Sequence, residues 1–487
     1  MNIADELTRQ AQARPDAIAV LMPNGAVSYR QLETLSWRAA TFMHQQGIGK
    51  CDVIAMSFAS EFALLIAFLA AVRLGGTVFT IRLGLPTLLR EEMLGAVEAD
   101  VLLCDRPIGE ADQRRTVTMP LEHLLSEASD IDVSLRDPEA CCVIDVGSGS
   151  TGKQKLILYT HQQFLEIAAR TARQYSLSAD DRLATLVHLN FVSTKRRYMS
   201  MISAGAAIVL FNRSRLDPVA LVKQRKVSIL IGTVYHLERL LSSLPDAAKN
   251  LMPGLRLLVV TSSTVSTALR TRIAQKLTRN LCINYGTNEC TTMTWAQAPE
   301  VFEIEGTVGV PMEGVSVEII DADGNQLPLG EIGQIRLQAP GMVDGYLNDK
   351  EAGEKSFRGG WFYPGDLGKF TEAGQLIYCG RADHMMIMNG MNIYPAEIER
   401  VVSGHPAIRD VAAVPIKHTV HQDVPVCAIS LHAGKSVTQQ EMLEYVRQRL
   451  GARGPRFIVI LEEIPRDERG KLRRPELYQQ LARRLPR

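Results

Sequence analysis

Residues 147–155, Gly-Ser-Gly-Ser-Thr-Gly-Lys-Gln-Lys, pack three glycines, three hydroxyls and two lysines into nine positions, shortly after the apolar residues 141–144. Glycines let backbone N–H groups close on phosphate oxygens, hydroxyls donate to those oxygens, and lysine supplies a point charge. The composition predicts a loop that binds a polyphosphate. A plain Gly/Ser linker would not end in two lysines followed at once by Leu156-Ile157-Leu158-Tyr159.

Two loop types compete for these residues. Residues 147–153 satisfy Gly-x-x-x-x-Gly-Lys of a P-loop, but position 154 is Gln where a P-loop holds magnesium with Ser or Thr. The same stretch resembles the [S/T]-G-[S/T]-T-G-x-P-K loop of the adenylate-forming superfamily, which comprises acyl-CoA synthetases, adenylation domains of nonribosomal peptide synthetases, and luciferases. Gln154 stands where that loop has Pro. Four further stretches follow in the family's order. Asn284-Tyr285-Gly286-Thr287-Asn288-Glu289 is similar to Y-G-x-T-E, and Trp361-Phe362-Tyr363-Pro364-Gly365-Asp366 to G-W-x-x-T-G-D. Gly380-Arg381-Ala382-Asp383, with residues 389–399, is similar to G-R-x-D…G-x-x-I-x-P-x-E-I-E, and residues 465–473 to P-R-T-x-x-G-K-x-x-R.

The resemblance implies a reaction in which a carboxylate attacks the α-phosphorus of ATP and pyrophosphate leaves. Two anions must meet, so catalysis is charge neutralisation and alignment. It implies that Ser148, Gly149, Ser150, Thr151, Gly152 and Lys155 hold the β- and γ-phosphates. Glu289 would ligate a bridging Mg2+, a hard cation suited to carboxylate oxygen. Tyr285 would stack on adenine beside Gly286, with Asn288 donating to the α-phosphate in place of the family's Thr. Asp366 would accept both ribose hydroxyls, which suits an ionised acceptor, and Arg381 would add a ribose or phosphate contact. Lys471 would orient the acyl and α-phosphate oxygens, so that the implied catalytic residues are Lys471, Glu289 and Lys155. Asp383 occupies the family's hinge, about which a C-terminal lid would rotate between adenylation and thioester-forming poses. The implied acceptor is coenzyme A or the phosphopantetheine of a separate acyl, aryl or peptidyl carrier protein.

The acid's identity lies between the phosphate loop and Tyr285. His188, Asn190 and Phe191 occupy the region where aryl-acid-activating members carry H-N-F-P-L-S, offset by one residue. Residues 183–216 contain no acid to grip an α-ammonium, which argues against an amino acid. Lys195-Arg196-Arg197 reads first as a solvated face, with a second substrate carboxylate or the phosphates of coenzyme A as the alternative. Ser262, Ser263 and Thr264 stand where relatives often have Gly-Gly-Ala at the pocket floor, and their side chains would shrink the pocket against long acyl chains.

These residues need a scaffold. The chain of 487 residues, 46% hydrophobic, has ample material for several folded units. Helical segments such as 62–74, broken at Gly75-Gly76, alternate with strand-like runs at 77–80, 207–211, 228–231 and 255–260, the pattern of helix-flanked sheets. From about residue 306 closely spaced glycines and β-prone runs at 316–320 and 334–337 predict antiparallel hairpins or a small barrel. Helices at 395–402 and 438–450 with strands at 411–415 and 424–431 predict a small α+β unit. The expected fold is therefore α/β: a large N-terminal domain, 1–381, whose residues 306–381 form the glycine-rich β subdomain, and a mobile C-terminal domain, 382–487.

A net charge of +1 gives no bulk field for nucleic acid or an anionic membrane. The apolar run 62–72 falls short of the roughly 20 residues a membrane helix needs. The start, MNIADELTRQ, lacks a secretion signal, and the eight cysteines, with no CxxC pair, read as reduced core thiols, so a cytoplasmic protein is expected. The rivals are a P-loop ATPase or phosphotransferase, and a degenerate relative that binds nucleotide or acid without turnover. Product analysis separates them: an adenylate-forming enzyme releases AMP and pyrophosphate in the presence of its acid, whereas ADP would identify the phosphotransferase.

Overall fold

The computed structural model describes the chain apart from residues 108–114, 120–136, 148–154, 214–216, 262–264, 389–390, 419–421, 468–469 and 485–487, and apart from the side chains of 387, 391, 392, 417, 418, 422 and 482. It is a mixed α/β fold with a large N-terminal sheet region and a smaller C-terminal α+β layer. Two compact units form. The first comprises Met1–Leu230, Gly286–Thr292 and Gln338–Phe362, and the second Ile231–Tyr285, Met293–Leu337 and Tyr363–Arg487.

In the first unit, one sheet orders the strands Arg115–Thr118, Val101–Cys104, Val53–Ser57, Thr77–Thr80, Cys141–Gly147 and Lys155–Thr160. All neighbours are parallel except the last pair, an antiparallel hairpin. Strands buried on both faces read as continuous apolar runs, as Val101-Leu102-Leu103-Cys104 does, every residue of it buried. The helix Glu61–Arg73 is apolar on every face and buried from Ala63 onward, as expected of a helix enclosed on all sides. Its leucines, isoleucine and phenylalanine each contribute roughly 2 kcal/mol of transfer free energy. The helix ends on Arg73, whose buried guanidinium meets Glu33 at 2.6 Å and lies over Trp37.

The second unit carries the glycine-punctuated region as an antiparallel sheet, with Thr307–Pro311 beside Leu376–Arg381, then Asp366–Phe370 and Gly333–Gln338. Gly309, at φ +102°, is required there, since a Cβ would stand 2.0 Å from the Trp295 carbonyl carbon. Its C-terminal layer is a five-stranded sheet whose long hairpin, Ile408–His418 with Gln422–Leu431, alternates sides residue by residue. Val411 and Ala413 point into a core with the helices Pro395–Ser403 and Gln439–Leu450, whereas Ala412 and Val414 join Leu477 and Leu481 of helix Arg474–Ala482.

The expected helices and strands named above all form, with ends displaced by a few residues. All eight cysteines are free, but Cys51 is exposed, so the reading of every cysteine as a core thiol is corrected at that position. Among the described residues no helix is long and apolar enough to cross a membrane.

His161 opens the helix His161–Gln174, is fully buried, and accepts the Ile3 N–H at Nδ1. Burial pushes its imidazole down to about 4. The unfolded chain, with a pKa near 6.5, therefore binds the extra proton first, and stability that is complete above pH ~6.5 falls by about 3 kcal/mol as pH drops to ~4. Thermal midpoints across that window should decline less steeply in His161→Gln than in the wild type, and parallel slopes would refute the assignment.

Candidate active site

Within the first unit, the phosphate loop is a hairpin connection whose ends are pinned: Gly147 faces Lys155 across the antiparallel pair Cys141–Gly147 and Lys155–Thr160. Ser148, Gly149, Ser150, Thr151 and Gly152 lie outside the described residues, as do Ser262, Ser263 and Thr264. The Lys155 ammonium sits 4.6 Å from the centroid of the Tyr346 ring, a favourable position for a cation over an aromatic face. The Tyr346 hydroxyl donates to Glu289 Oε1 at 3.0 Å. Burial, and next the Glu289 charge, push the Tyr346 phenol well up, so it remains a donor. Lys155 and Glu289, 134 positions apart in the chain, are thus brought onto one tyrosine.

Gly286 lies near the end of the strand Leu281–Thr287, just before the turn that carries Asn288 and Glu289, and a Cβ there would fall 2.1 Å from the Thr291 carbonyl oxygen, so only glycine fits. The Asn288 carbonyl receives two donors, the Tyr159 hydroxyl at 2.7 Å and Arg196 Nη2 at 2.9 Å. Arg196 also lies over the Tyr159 ring. The Asn288 side chain donates through Nδ2 to Asp145 Oδ2 at 2.8 Å, so one of its N–H groups is engaged by the residue that precedes the phosphate loop. The Glu289 carbonyl accepts from Val343 N–H, and Arg170 reaches the carbonyls of Cys290 and Pro340.

The turn at 188–191 is equally determined. Its Asn190 N–H donates to His188 Nδ1 at 3.1 Å, and its Asn190 carbonyl accepts from Thr80 Oγ1 at 2.6 Å and Lys195 Nζ at 2.9 Å. Phe191 leads into the helix Val192–Ser203. An acid does reach this turn, from elsewhere in the chain: Glu61 accepts the Leu189 N–H at 3.0 Å and is gripped by Arg213 through Nε and Nη2. The solvated-face reading of Lys195-Arg196-Arg197 is overturned, because all three are buried, at 1%, 5% and 7% exposure. Burial, then the Arg196 charge set against the attraction of Asp145, holds the Lys195 ammonium down at about 8.

In the second unit, the Tyr285 hydroxyl donates to Asp366 Oδ2 at 2.7 Å, and its ring lies 5.8 Å from that of Tyr378 at a 34° tilt. Asp366 and Arg381 face each other across antiparallel strands, with a guanidinium nitrogen 3.6 Å from Asp366 Oδ1. Arg381 donates to both Asp383 oxygens at 3.1 Å and to the Pro364 carbonyl at 2.5 Å. Pro364, which replaces a hydroxyl residue of the family motif, thus serves as an acceptor. Lys471 is exposed and exchanges hydrogen bonds with Asp467 at 2.8 Å, and a Cβ at the adjoining Gly470 would stand 3.1 Å from the Tyr235 Cβ.

Sequence reasoning passed over Tyr159, Tyr346, Thr80, Glu61 and Tyr378. Asp145, two positions before the first glycine of the loop, carried a positional signal; the others lie in ordinary helix, strand or loop sequence and had none. As for a bound metal, Glu289 keeps Oε2 without a hydrogen bond among the described residues, and no cluster of three or more metal-ligating side chains occurs among them. That donor set fits Mg2+, which keeps its waters and binds through one or two carboxylates plus substrate phosphates.

A family model described as AMP-binding enzyme matches residues 7–347, and one described as AMP-binding enzyme C-terminal domain matches residues 397–471. The chain is 25% identical to indoleacetate–CoA ligase of Aromatoleum aromaticum over 99% of both chains. It is 26% identical to 2-succinylbenzoate–CoA ligase of Bacillus subtilis, covering 97% of this chain and 96% of that one. The structure of ATP-bound MatB from Rhodopseudomonas palustris superposes with a TM-score of 0.88 at 21% identity, over 99% of both chains. The chain belongs to the AMP-binding enzyme family, that is, to the adenylate-forming superfamily. Within it the chain is an AMP-forming acid–thiol ligase, of a class that uses ATP, Mg2+ and coenzyme A.

The double acceptor at Asn288 yields a stability prediction. Tyr159→Phe removes one of the two donors and should cost about 1 kcal/mol, read as a lowered urea midpoint with an unchanged slope; an unaltered midpoint would show that Arg196 alone holds the turn.

Proposed function

We propose that this ligase activates a compact organic acid as its acyl adenylate and transfers the acyl group to coenzyme A. The observation that carries the reading is the placement of Lys155 and Glu289 on Tyr346 at the exit of the phosphate-binding hairpin. A cation and a free carboxylate oxygen there suit a triphosphate and its metal. A carboxylate oxygen of the acid attacks the α-phosphorus, the bond to the bridging oxygen of the β-phosphate breaks, and pyrophosphate departs. A thiol then attacks the acyl carbon, loses its proton, and AMP leaves.

Each group has a role in that sequence. Lys155, with Ser148, Gly149, Ser150, Thr151 and Gly152, receives the outer phosphates, and Glu289 would hold Mg2+, which would supply further charge neutralisation there. Asn288 retains its second N–H for the α-phosphate while Asp145 fixes its orientation. Tyr285, Gly286, Asp366 and Arg381 receive the adenosine, the ion pair with Arg381 favouring the ionised form of Asp366 as a ribose acceptor. His188, Asn190 and Phe191 border the acid, with Ser262, Ser263 and Thr264 at the pocket floor. The named relatives act on indoleacetate and on 2-succinylbenzoate, both compact acids.

The domain boundary falls at 381/382, with Asp383 as hinge. Its support is the self-contained core of the C-terminal layer and the Arg381–Asp383 pair at the joint. Lys471 would enter the adenylation pose on this lid and leave it for thioester formation.

Acid-dependent exchange of pyrophosphate into ATP across a carboxylate library tests the reading. Lys471→Ala should lower exchange by at least about 100-fold yet spare thiolysis of preformed acyl adenylate, and equal losses in both assays would refute the two-pose assignment. Acyl transfer to a carrier protein's phosphopantetheine but not to free coenzyme A would replace the acceptor proposed here.

A further inference from the structure

Lys195, Arg196 and Arg197 are buried at 1%, 5% and 7% exposure on the helix Val192–Ser203. Every hydrogen bond they make among the described residues ends on a neutral oxygen. Lys195 reaches Thr80 Oγ1 and the Asn190 carbonyl, Arg196 the Asn288 carbonyl, and Arg197 the Tyr175 hydroxyl and the Ser193 carbonyl. Desolvating a cation costs several kcal/mol unless an anion compensates, and here three cations are taken from water within one helical turn, with the single charge of Asp145 acting on Lys195.

The three are not equivalent. Both nitrogens of Arg197 that make bonds end on its own helix and on Tyr175, a packing role. Arg196 is wedged between the Tyr159 ring and the Asn288 carbonyl, and its buried Nε meets no acceptor among the described residues. Asn190, whose carbonyl holds Lys195, likewise has a buried Oδ1 that meets no donor among the described residues. Orphaned buried polar atoms on a turn and helix that border the acid call for a polar ligand, and the excess positive charge specifies an anionic one.

We infer that the acid this chain activates carries a second carboxylate, received by Arg196 with Lys195 supplying the additional positive charge. The inference rests on the adenylation reading above and narrows its substrate to dicarboxylic acids. A guanidinium held rigid by stacking loses little freedom on receiving a carboxylate, and a half-amide of the same skeleton would leave the cations uncompensated.

The test pairs aliphatic and aromatic diacids with their half-amides in the pyrophosphate exchange assay. Wild type should favour a diacid over its half-amide by at least about tenfold in kcat/KM, the effect of losing one charge-assisted bond. Arg196→Gln and Lys195→Met should each erase that preference through the KM for the diacid, and in Lys195→Met, whose bonds go to Thr80 and Asn190 and not to the Asn288 turn, the KM for ATP should stay within about twofold. Arg196→Lys, which keeps the charge, should retain part of the preference and guards against misfolding, and Arg197→Gln should retain all of it. With unmodified protein, the preferred diacid should raise the thermal midpoint where its half-amide does not. Equal use of diacids and half-amides by wild type overturns the inference while leaving adenylation intact. A parallel rise in the KM for ATP in Lys195→Met overturns it in favour of a nucleotide-phosphate role, and no exchange with any acid overturns the adenylation reading and this inference with it.

Discussion

The carbonyl of Asn288 is the joint on which the first unit's chemistry depends. It accepts from Tyr159 and Arg196, while the side chain of the same residue grips Asp145. Through these bonds the turn that presents Glu289 is tied to both strands of the phosphate-loop hairpin and to the helix that carries the buried cations. A carboxylate proposed to hold a metal must be positioned without being neutralised, and among the described residues the Glu289 carboxylate receives one hydrogen bond, from the Tyr346 hydroxyl, while the fixing bonds fall on Asn288.

The second unit handles charge differently. Asp366 is buried beside Arg381, and Arg381 divides its donors among Asp366, Asp383 and the Pro364 carbonyl. One guanidinium therefore links the residue proposed to bind ribose to the residue proposed as the hinge. Burial, and then the Asp366 charge, push the Tyr378 phenol well up, so it stays protonated next to the Tyr285 ring.

Much of the scaffold was legible because its signals are local. The apolar helix Glu61–Arg73, the strands of the first sheet and the alternation in Ile408–His418 follow from periodicity and from breaker residues. The motif residues were legible through their order along the chain. The fate of Lys195-Arg196-Arg197 was not: three successive cations on a helix normally face water, and only the enclosure of that helix by Thr80, Tyr159, Tyr175 and Asn288 places them inside.

By itself the sequence determined the α/β class, the family and which residue types stand at the motif positions, since periodicity and motif order are properties of the chain alone. The tertiary structure decided which of those residues share a partner. Lys155 meets Glu289 through Tyr346, and Asn288 meets Asp145, because the chain brings distant segments within hydrogen-bond range. The strength of a hydrogen bond or buried charge depends on distance and desolvation, which no linear spacing specifies.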